Sequence, residues 1–372
     1  MKKRIIIAGF GDTGLLVAVH LKKHYDIIGI SAKPCLVSGQ ELGTRLTQPE
    51  TWKQNYLMRF GRYRHLDGVK TLHGTIETVD AHTQAVTVKL VDGSTVVETY
   101  DILVIASGVT NGFWRNNRLQ SLDDIESGLT QAASQLSNAD KVAIIGGGAT
   151  GVSVASNLKE LHPGKRVHLF YSQSHPLPGY HPRVRNRIEQ RLKTQGVQLH
   201  PYHRAEIPDG FACEDFTDSP LEWSSGQPTF HADLTLWAVG KLTPNSDFVP
   251  QDMLNEKGFV NADEYLRVPG YENVFTVGDI AASDPNRSSA RNAGFMTVAH
   301  NITAVLEGKP KTMKRFKATR FRWGSILGVQ KEGMRVFTPQ GFSVRVPRSI
   351  VKTVLFPFFV RRVIYRGVKA GT

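Results

Sequence analysis

Two glycine-rich turns, each set between an apolar run and a helix-like stretch, constrain this chain more than any other feature. The first reads Gly9-Phe10-Gly11-Asp12-Thr13-Gly14 and follows Arg4-Ile5-Ile6-Ile7-Ala8. The second reads Gly146-Gly147-Gly148-Ala149-Thr150-Gly151 and follows Lys141-Val142-Ala143-Ile144-Ile145. The stretches Leu15 to Lys23 and Val152 to Leu161 come next, so each unit reads strand, tight turn, helix. The glycines permit the turn and let backbone N–H groups at a helix N-terminus approach a pyrophosphate. One such turn on its own also describes a glycine-rich βα connection with no ligand. Two in matching context point to two dinucleotides on one chain.

A third motif, Asn273-Val274-Phe275-Thr276-Val277-Gly278-Asp279, runs an apolar strand into Gly-Asp and then the small residues Ile280-Ala281-Ala282. Tyr100-Asp101-Ile102-Leu103-Val104-Ile105-Ala106-Ser107-Gly108 and Leu236-Trp237-Ala238-Val239-Gly240-Lys241-Leu242-Thr243-Pro244-Asn245 stand between the fingerprints and this motif in the expected order. With these five motifs the chain resembles the two-dinucleotide-binding-domain flavoproteins, the pyridine nucleotide-disulfide reductase superfamily, over about residues 3–305. The resemblance implies an α/β fold of two Rossmann-like domains, the second inserted in the first. It implies an FAD domain of residues 1–110 and 241–308 and an NAD(P)H domain of residues 111–240; the charge balance sets off a basic C-terminal segment, 309–372, for a membrane or other partner. It also implies FAD contacts at Gly9, Gly11, Thr13, Gly14, Ser31, Lys33, Ile76, Ala106, Ser107, Gly108, Gly278 and Asp279. NAD(P)H contacts are implied at Gly146, Gly148, Thr150, Gly151, Ser172 and Gly240. No catalytic side chain beyond the flavin is identified.

Several residues depart from the family pattern. The second strand, Asp26-Ile27-Ile28-Gly29-Ile30-Ser31, ends in Ser31-Ala32-Lys33, where the family carries an acid for the FAD ribose. Val167-His168-Leu169-Phe170-Tyr171 also ends without an acid and runs into Ser172-Gln173-Ser174-His175. Loss of that carboxylate removes its repulsion of a 2′-phosphate, so NADPH is expected to serve at least as well as NADH. Ser153 stands where a Glu commonly lies near the nicotinamide. Ser289-Ala290-Arg291-Asn292-Ala293-Gly294 lacks the glutamines of the type II NADH dehydrogenase quinone site. The overall shape is closest to those dehydrogenases and to the ferroptosis-suppressing, apoptosis-inducing-factor-like quinone reductases.

The chain has two cysteines, Cys35 and Cys213, and so lacks the Cys-x-x-Cys or Cys-x4-Cys pair of a dithiol relay. An oxidising substrate is then expected to meet the flavin directly, and quinone is the favoured acceptor. Thirteen histidines occur without a ligand-like spacing, and no metal is expected.

Net charge is +13, and it is uneven. Residues 309–372 hold 16 Lys and Arg against Glu332 alone, a balance of +15, which leaves residues 1–308 at −2. Such asymmetry calls for an anionic partner. Val354-Leu355-Phe356-Pro357-Phe358-Phe359-Val360, set between Lys352 and Arg361-Arg362, is too short to span a bilayer but suits its interface. Arg345, Arg348, Lys352, Arg361, Arg362, Arg366 and Lys369 have no acid in their stretch. The favoured partner is an anionic membrane surface on the cytoplasmic side, with packing of these apolar residues on the body as the other reading. Deleting residues 345–372 is expected to spare the flavin domain, and Pro357 to kink or break a helix. Met1-Lys2-Lys3-Arg4 precedes too short an apolar run for a signal peptide, and Lys2 excludes myristoylation.

Rival readings are a soluble reductase of a small acidic, ferredoxin-like redox protein, and a slow flavoprotein whose tail binds nucleic acid or a regulatory partner. The apolar runs argue against nucleic acid, and oligomeric state is not legible.

Overall fold

A computed structural model describes residues 2–21, 24–112, 114–240 and 242–369. Lys22 and Lys23 of the first expected helix, and Lys241 of the returning motif, lie outside the described residues.

Arg4–Ala8 is the central one of the five parallel strands in a seven-stranded sheet, and its residues Ile5 to Ala8 are fully buried. Asp26–Ser31 and then Lys70–Asp80 lie parallel on one side; Ile102–Ile105 and then Val274–Thr276 lie parallel on the other. Strands buried on both faces need continuous apolar sequence, which Ile5-Ile6-Ile7 and Ile102-Leu103-Val104-Ile105 supply. The hairpin Ala85–Leu90 and Thr95–Thr99 extends the edge antiparallel, with Gly93 at φ 83° in its turn. A second sheet runs Gln198–His200, Arg166–Phe170, Lys141–Ile145, Leu234–Trp237, all parallel, with Phe216–Thr217 antiparallel at its edge. In sequence it falls between Ile102–Ile105 and Val274–Thr276 of the first sheet, which is the inserted arrangement. The chain leaves and returns side by side: Val109–Thr110 pairs antiparallel with Thr243–Pro244.

The basic tail is not a detached piece. Gly324–Gln330, Gly333–Phe337 and Ser343–Val346 form an antiparallel sheet that lies on the helix Ala149–Leu161. Ile326, Leu327 and Phe337 join the core of the second sheet's domain. Beneath them Asn157 Nδ2 donates to Leu327 O at 3.0 Å, and Ser156 Oγ to Gln330 Oε1 at 3.1 Å. Thr319-Arg320-Phe321-Arg322-Trp323 alternates cationic and apolar residues as a short strand would, yet it forms no sheet strand; a single bridge joins Arg322 to Tyr180.

The last segment, Val351–Ile364, is a helix of the wide π type that runs past Pro357 instead of breaking there. Its inward side holds it: Val351 and Phe356 are buried, and Phe356 meets Tyr56 edge-on at 5.6 Å. Tyr365, just beyond, is buried edge-on against Tyr63 at 5.2 Å. Deleting residues 345–372 therefore strips the first domain of core residues, so the expected clean truncation does not fit this packing. Two of the seven tail cations are also engaged by the body. Lys369 pairs with Asp67, and Arg361 donates to Asn55 Oδ1 at 3.1 Å. The outward side stays bare, with Val354, Phe358, Phe359 and Val363 each at least 50% exposed. No helix of the described residues is long and apolar enough to cross a membrane.

Candidate functional site

The two fingerprints fold into the same geometry, glycine by glycine. Gly9 has φ +103°, and a Cβ there would lie 2.5 Å from the Ser107 backbone; Gly146 has φ +120°, and its Cβ would lie 2.0 Å from Ala238 O. The first glycine thus lets two strand ends meet. A Cβ on Gly14 would lie 2.1 Å from Gly9 O, and one on Gly151 2.1 Å from Gly146 O, so the last glycine seats helix on turn. The middle ones differ from both. A Cβ on Gly11 or Gly148 would meet nothing within 4 Å. Each faces open space at a helix N-terminus, where the first backbone N–H groups lack helical partners. That is the cradle a pyrophosphate fits. Thr150 stands in the first turn of the second helix. Ser172 is exposed just past the strand end, and Gly240, at φ +72°, also faces open space.

Thr13 brings the third motif to the first cradle: its Oγ1 is the nearest atom, at 3.4 Å, to a Cβ built on Gly278. The Gly278 turn is pinned by Ser289 Oγ, which accepts from Gly278 N at 2.9 Å and donates to Gly278 O at 3.1 Å. Ser289 is fully buried, so its place in the 289–294 stretch is explained by this bond. Asp279 forms an ion pair with Arg115 at 2.7 Å. Burial alone would raise the Asp279 carboxyl, but Arg115, then Arg291 and Arg322, hold it below its ordinary value. Asp12, inside the fingerprint, accepts from Ser38 Oγ and Gly39 N, both at 2.7 Å. Burial nevertheless pushes its carboxyl up. Arg45 is buried beside it and stacks on Trp52 at 4.8 Å, and its Nε has no hydrogen-bond partner. An orphaned guanidinium N–H beside an open cradle suits an anionic or acceptor-rich ligand.

The remaining expected flavin contacts divide. Ala106 N donates to Ala8 O at 2.8 Å, which holds the two strand ends together. Ser107 is used in the crossover: its Oγ donates to Asn245 O at 2.7 Å, Asn245 Nδ2 donates to Ser107 O at 3.1 Å, and Asn245 N donates to Gly108 O at 3.1 Å. Ser31 Oγ accepts from Lys33 N at 3.1 Å. Lys33 Nζ reaches Asn116 Oδ1 at 3.2 Å and Arg118 O, and burial lowers its pKa to about 8. Lys33 thus ties the first domain to the connection after Thr110. Ile76 is half-buried at the irregular step of the Lys70–Asp80 strand.

Asp12, Arg45 and Arg115 carry no family signature in the sequence; a charged residue within a glycine turn was the one available sign. Glu41 was also missed. It precedes the helix Leu42–Thr47 in a left-handed conformation, φ 51°, ψ 49°. Its carboxyl takes a hydrogen bond from Tyr56, yet burial raises it to about 7. Gly43, two residues on, explains Ser153. A Cβ on Gly43 would lie 2.2 Å from Ser153 Oγ, so two helices cross here with no room for a glutamate. Cys35 is buried, with its thiol pushed up to about 11, and Cys213 is buried in the other domain's core.

The sequence profile of the pyridine nucleotide-disulphide oxidoreductase family matches residues 3–303. The chain belongs to that family. This pyridine nucleotide-disulphide oxidoreductase is an α/β flavoprotein with FAD and a pyridine nucleotide as cofactors. It is 26% identical over 329 residues to apoptosis-inducing factor homolog B of Dictyostelium discoideum, covering 83% of this chain and 82% of that one. It is 23% identical over 337 residues to ferroptosis suppressor protein 1 of Xenopus tropicalis, covering 84% and 83%. Among solved structures, NDH2 from Plasmodium falciparum in complex with NADH superposes with a TM-score of 0.71 at 13% identity, over 98% of this chain and 97% of that one. At that identity the likeness concerns the fold.

Proposed function

We propose that this oxidoreductase takes hydride from NAD(P)H onto FAD and passes the electrons to a quinone at a membrane surface. The observation that carries the reading is the pair of open cradles at Gly11 and Gly148 combined with two buried cysteines in separate cores. Two dinucleotides are accommodated, and no dithiol stands ready to relay electrons to a disulfide. FAD, when bound, supplies hydride acceptance from nicotinamide and electron release to the acceptor.

The chain's own residues bind, orient and hold protons. Residues 1–110 and 241–308 hold FAD through Gly9, Gly11, Thr13, Gly14, Gly278 and Asp279. Residues 111–240 hold NAD(P)H through Gly146, Gly148, Thr150, Gly151, Ser172 and Gly240. Arg115 keeps Asp279 ionised as a hydrogen-bond acceptor. Glu41, raised by burial to about 7, holds a proton near neutral pH beside Tyr56. No acid follows Tyr171, so NADPH is not repelled. The exposed face of Val351–Ile364, with Lys352 and Arg362 beside it, rests on anionic lipid without crossing it.

The test is steady-state turnover of the FAD-loaded protein with NADH and NADPH against ubiquinone analogues, menadione, ferricyanide and ferredoxin. Quinone turnover with NADPH at least as good as NADH supports the reading. Turnover with ferredoxin and none with quinone overturns it.

A further inference from the structure

An arginine cluster outside both cradles outnumbers the one carboxylate beside it, Glu332. In the tail sheet, Arg335 on Gly333–Phe337 stands directly opposite Arg345 on Ser343–Val346. Like charges in facing positions of a strand pair are destabilising. Arg187 approaches the same place from the helix Pro182–Thr194. Arg335 Nη1 donates to Ser343 Oγ at 3.0 Å, and Arg187 Nη1 donates to that same oxygen at 3.4 Å. Two guanidinium groups thus share one neutral acceptor.

The nearest carboxylates are already taken. Arg191 holds both Glu332 and Glu160 in ion pairs. Among the described residues none of Arg187, Arg335 and Arg345 has a carboxylate within ion-pair distance. The three, with the Arg191–Glu332 pair, border a pocket of about 40 Å³ that Leu327 and Phe337 also line, the scale of a small group and not of a nucleotide. Burial, and then the crowding of Arg187 and Arg345, lowers the Arg335 pKa. Phe342 and Val344, which flank Ser343 in sequence, are exposed at 63% and 64%, and the chain runs on from Arg345 into the π-type helix.

We propose that Arg187, Arg335 and Arg345 form a binding site for a phosphate group, offered by a free phosphate or by a lipid headgroup. Planar guanidinium forks on three sides match the several oxygens of a tetrahedral anion, and an anion there turns a repulsive strand pair into a clamp. The site depends on the fold of the tail and not on the electron acceptor.

Calorimetric titration of the FAD-loaded full chain with inorganic phosphate tests it, with Arg335→Gln as the site variant and Arg348→Gln as a charge-matched control outside the pocket. Wild type and Arg348→Gln should bind, phosphate should raise their Tm, and Arg335→Gln should bind about tenfold more weakly or worse. Without phosphate Arg335→Gln should melt no lower than wild type, because it relieves like-charge repulsion; should it fail to fold, Arg345→Gln at the exposed edge takes its place. Phosphatidylcholine vesicles carrying phosphatidic acid, compared with vesicles carrying oleate at equal charge, separate the sources. A preference for phosphatidic acid that Arg335→Gln abolishes assigns a lipid headgroup. Phosphate binding without that preference assigns free phosphate. No phosphate binding by wild type, or equal weakening in Arg335→Gln and Arg348→Gln, overturns the proposal. The lipid-free arm keeps this outcome distinct from failure of the membrane reading.

Discussion

Replacing Glu41 by Gln should abolish much of the loss of stability that this protein undergoes between mildly acidic and neutral pH. In the folded chain burial lifts the Glu41 carboxyl from 4.5 to about 7, partly offset by the Tyr56 hydrogen bond; in the unfolded chain it returns to its ordinary value. Between the two values the folded state keeps a proton that the unfolded state has released. Stability therefore falls as pH rises through that window and levels off above it. The interval from 4.5 to about 7 corresponds to on the order of 3 kcal/mol. Gln keeps the shape, accepts the Tyr56 hydroxyl and carries no charge. The variant should match wild type near the acidic end and exceed it by up to that amount at about pH 8. Asp12, raised by burial as well, leaves a residual slope of the same sign in both proteins. Urea midpoints of the FAD-saturated proteins across this range, with m unchanged, give the answer. Parallel curves would show that Glu41 is not the group that titrates. A variant less stable than wild type at high pH would mean that the carboxylate is favoured in its ionised form, against the burial argument.

Three further outcomes follow from the geometry. Gly11→Val puts side-chain atoms into the open cradle and should abolish flavin absorbance, whereas Gly148→Val should keep the yellow protein and lose reduction by NAD(P)H in stopped flow. Tyr365→Ala empties a buried site against Tyr63 and should cost about 3–5 kcal/mol, read as a lowered urea midpoint. The double change Phe358→Ser with Phe359→Ser alters only exposed positions and should leave Tm within a few degrees while lowering flotation with anionic liposomes and turnover with long-chain quinone; unchanged flotation would remove the tail helix from the membrane reading.

Much of the frame is legible in residue order because its causes are local. Glycine sterics act within one turn, and apolar runs such as Ile5-Ile6-Ile7 declare a buried strand without reference to anything distant. The fingerprints, the second strand at Asp26–Ser31, the hairpin around Gly93 and the inserted order of the two sheets follow from such signals and from the family resemblance. The tail shows where local signals end. Nothing in its apolar run marks which residues turn inward: Phe356 packs on Tyr56 while Phe358 and Phe359 point out, because the partner surface comes from residues some 300 positions earlier.

The sequence by itself determined two dinucleotide-binding units, the lack of a dithiol and a strongly cationic tail. Only the tertiary structure decided what the charges face. Arg115 meets Asp279, Lys369 meets Asp67, and Arg335 meets other arginines, three fates for one kind of charge. The physical reason is that burial and Coulomb interactions depend on distance in space. A sequence specifies how many charges there are and where they lie along the chain; folding chooses which of them find a partner.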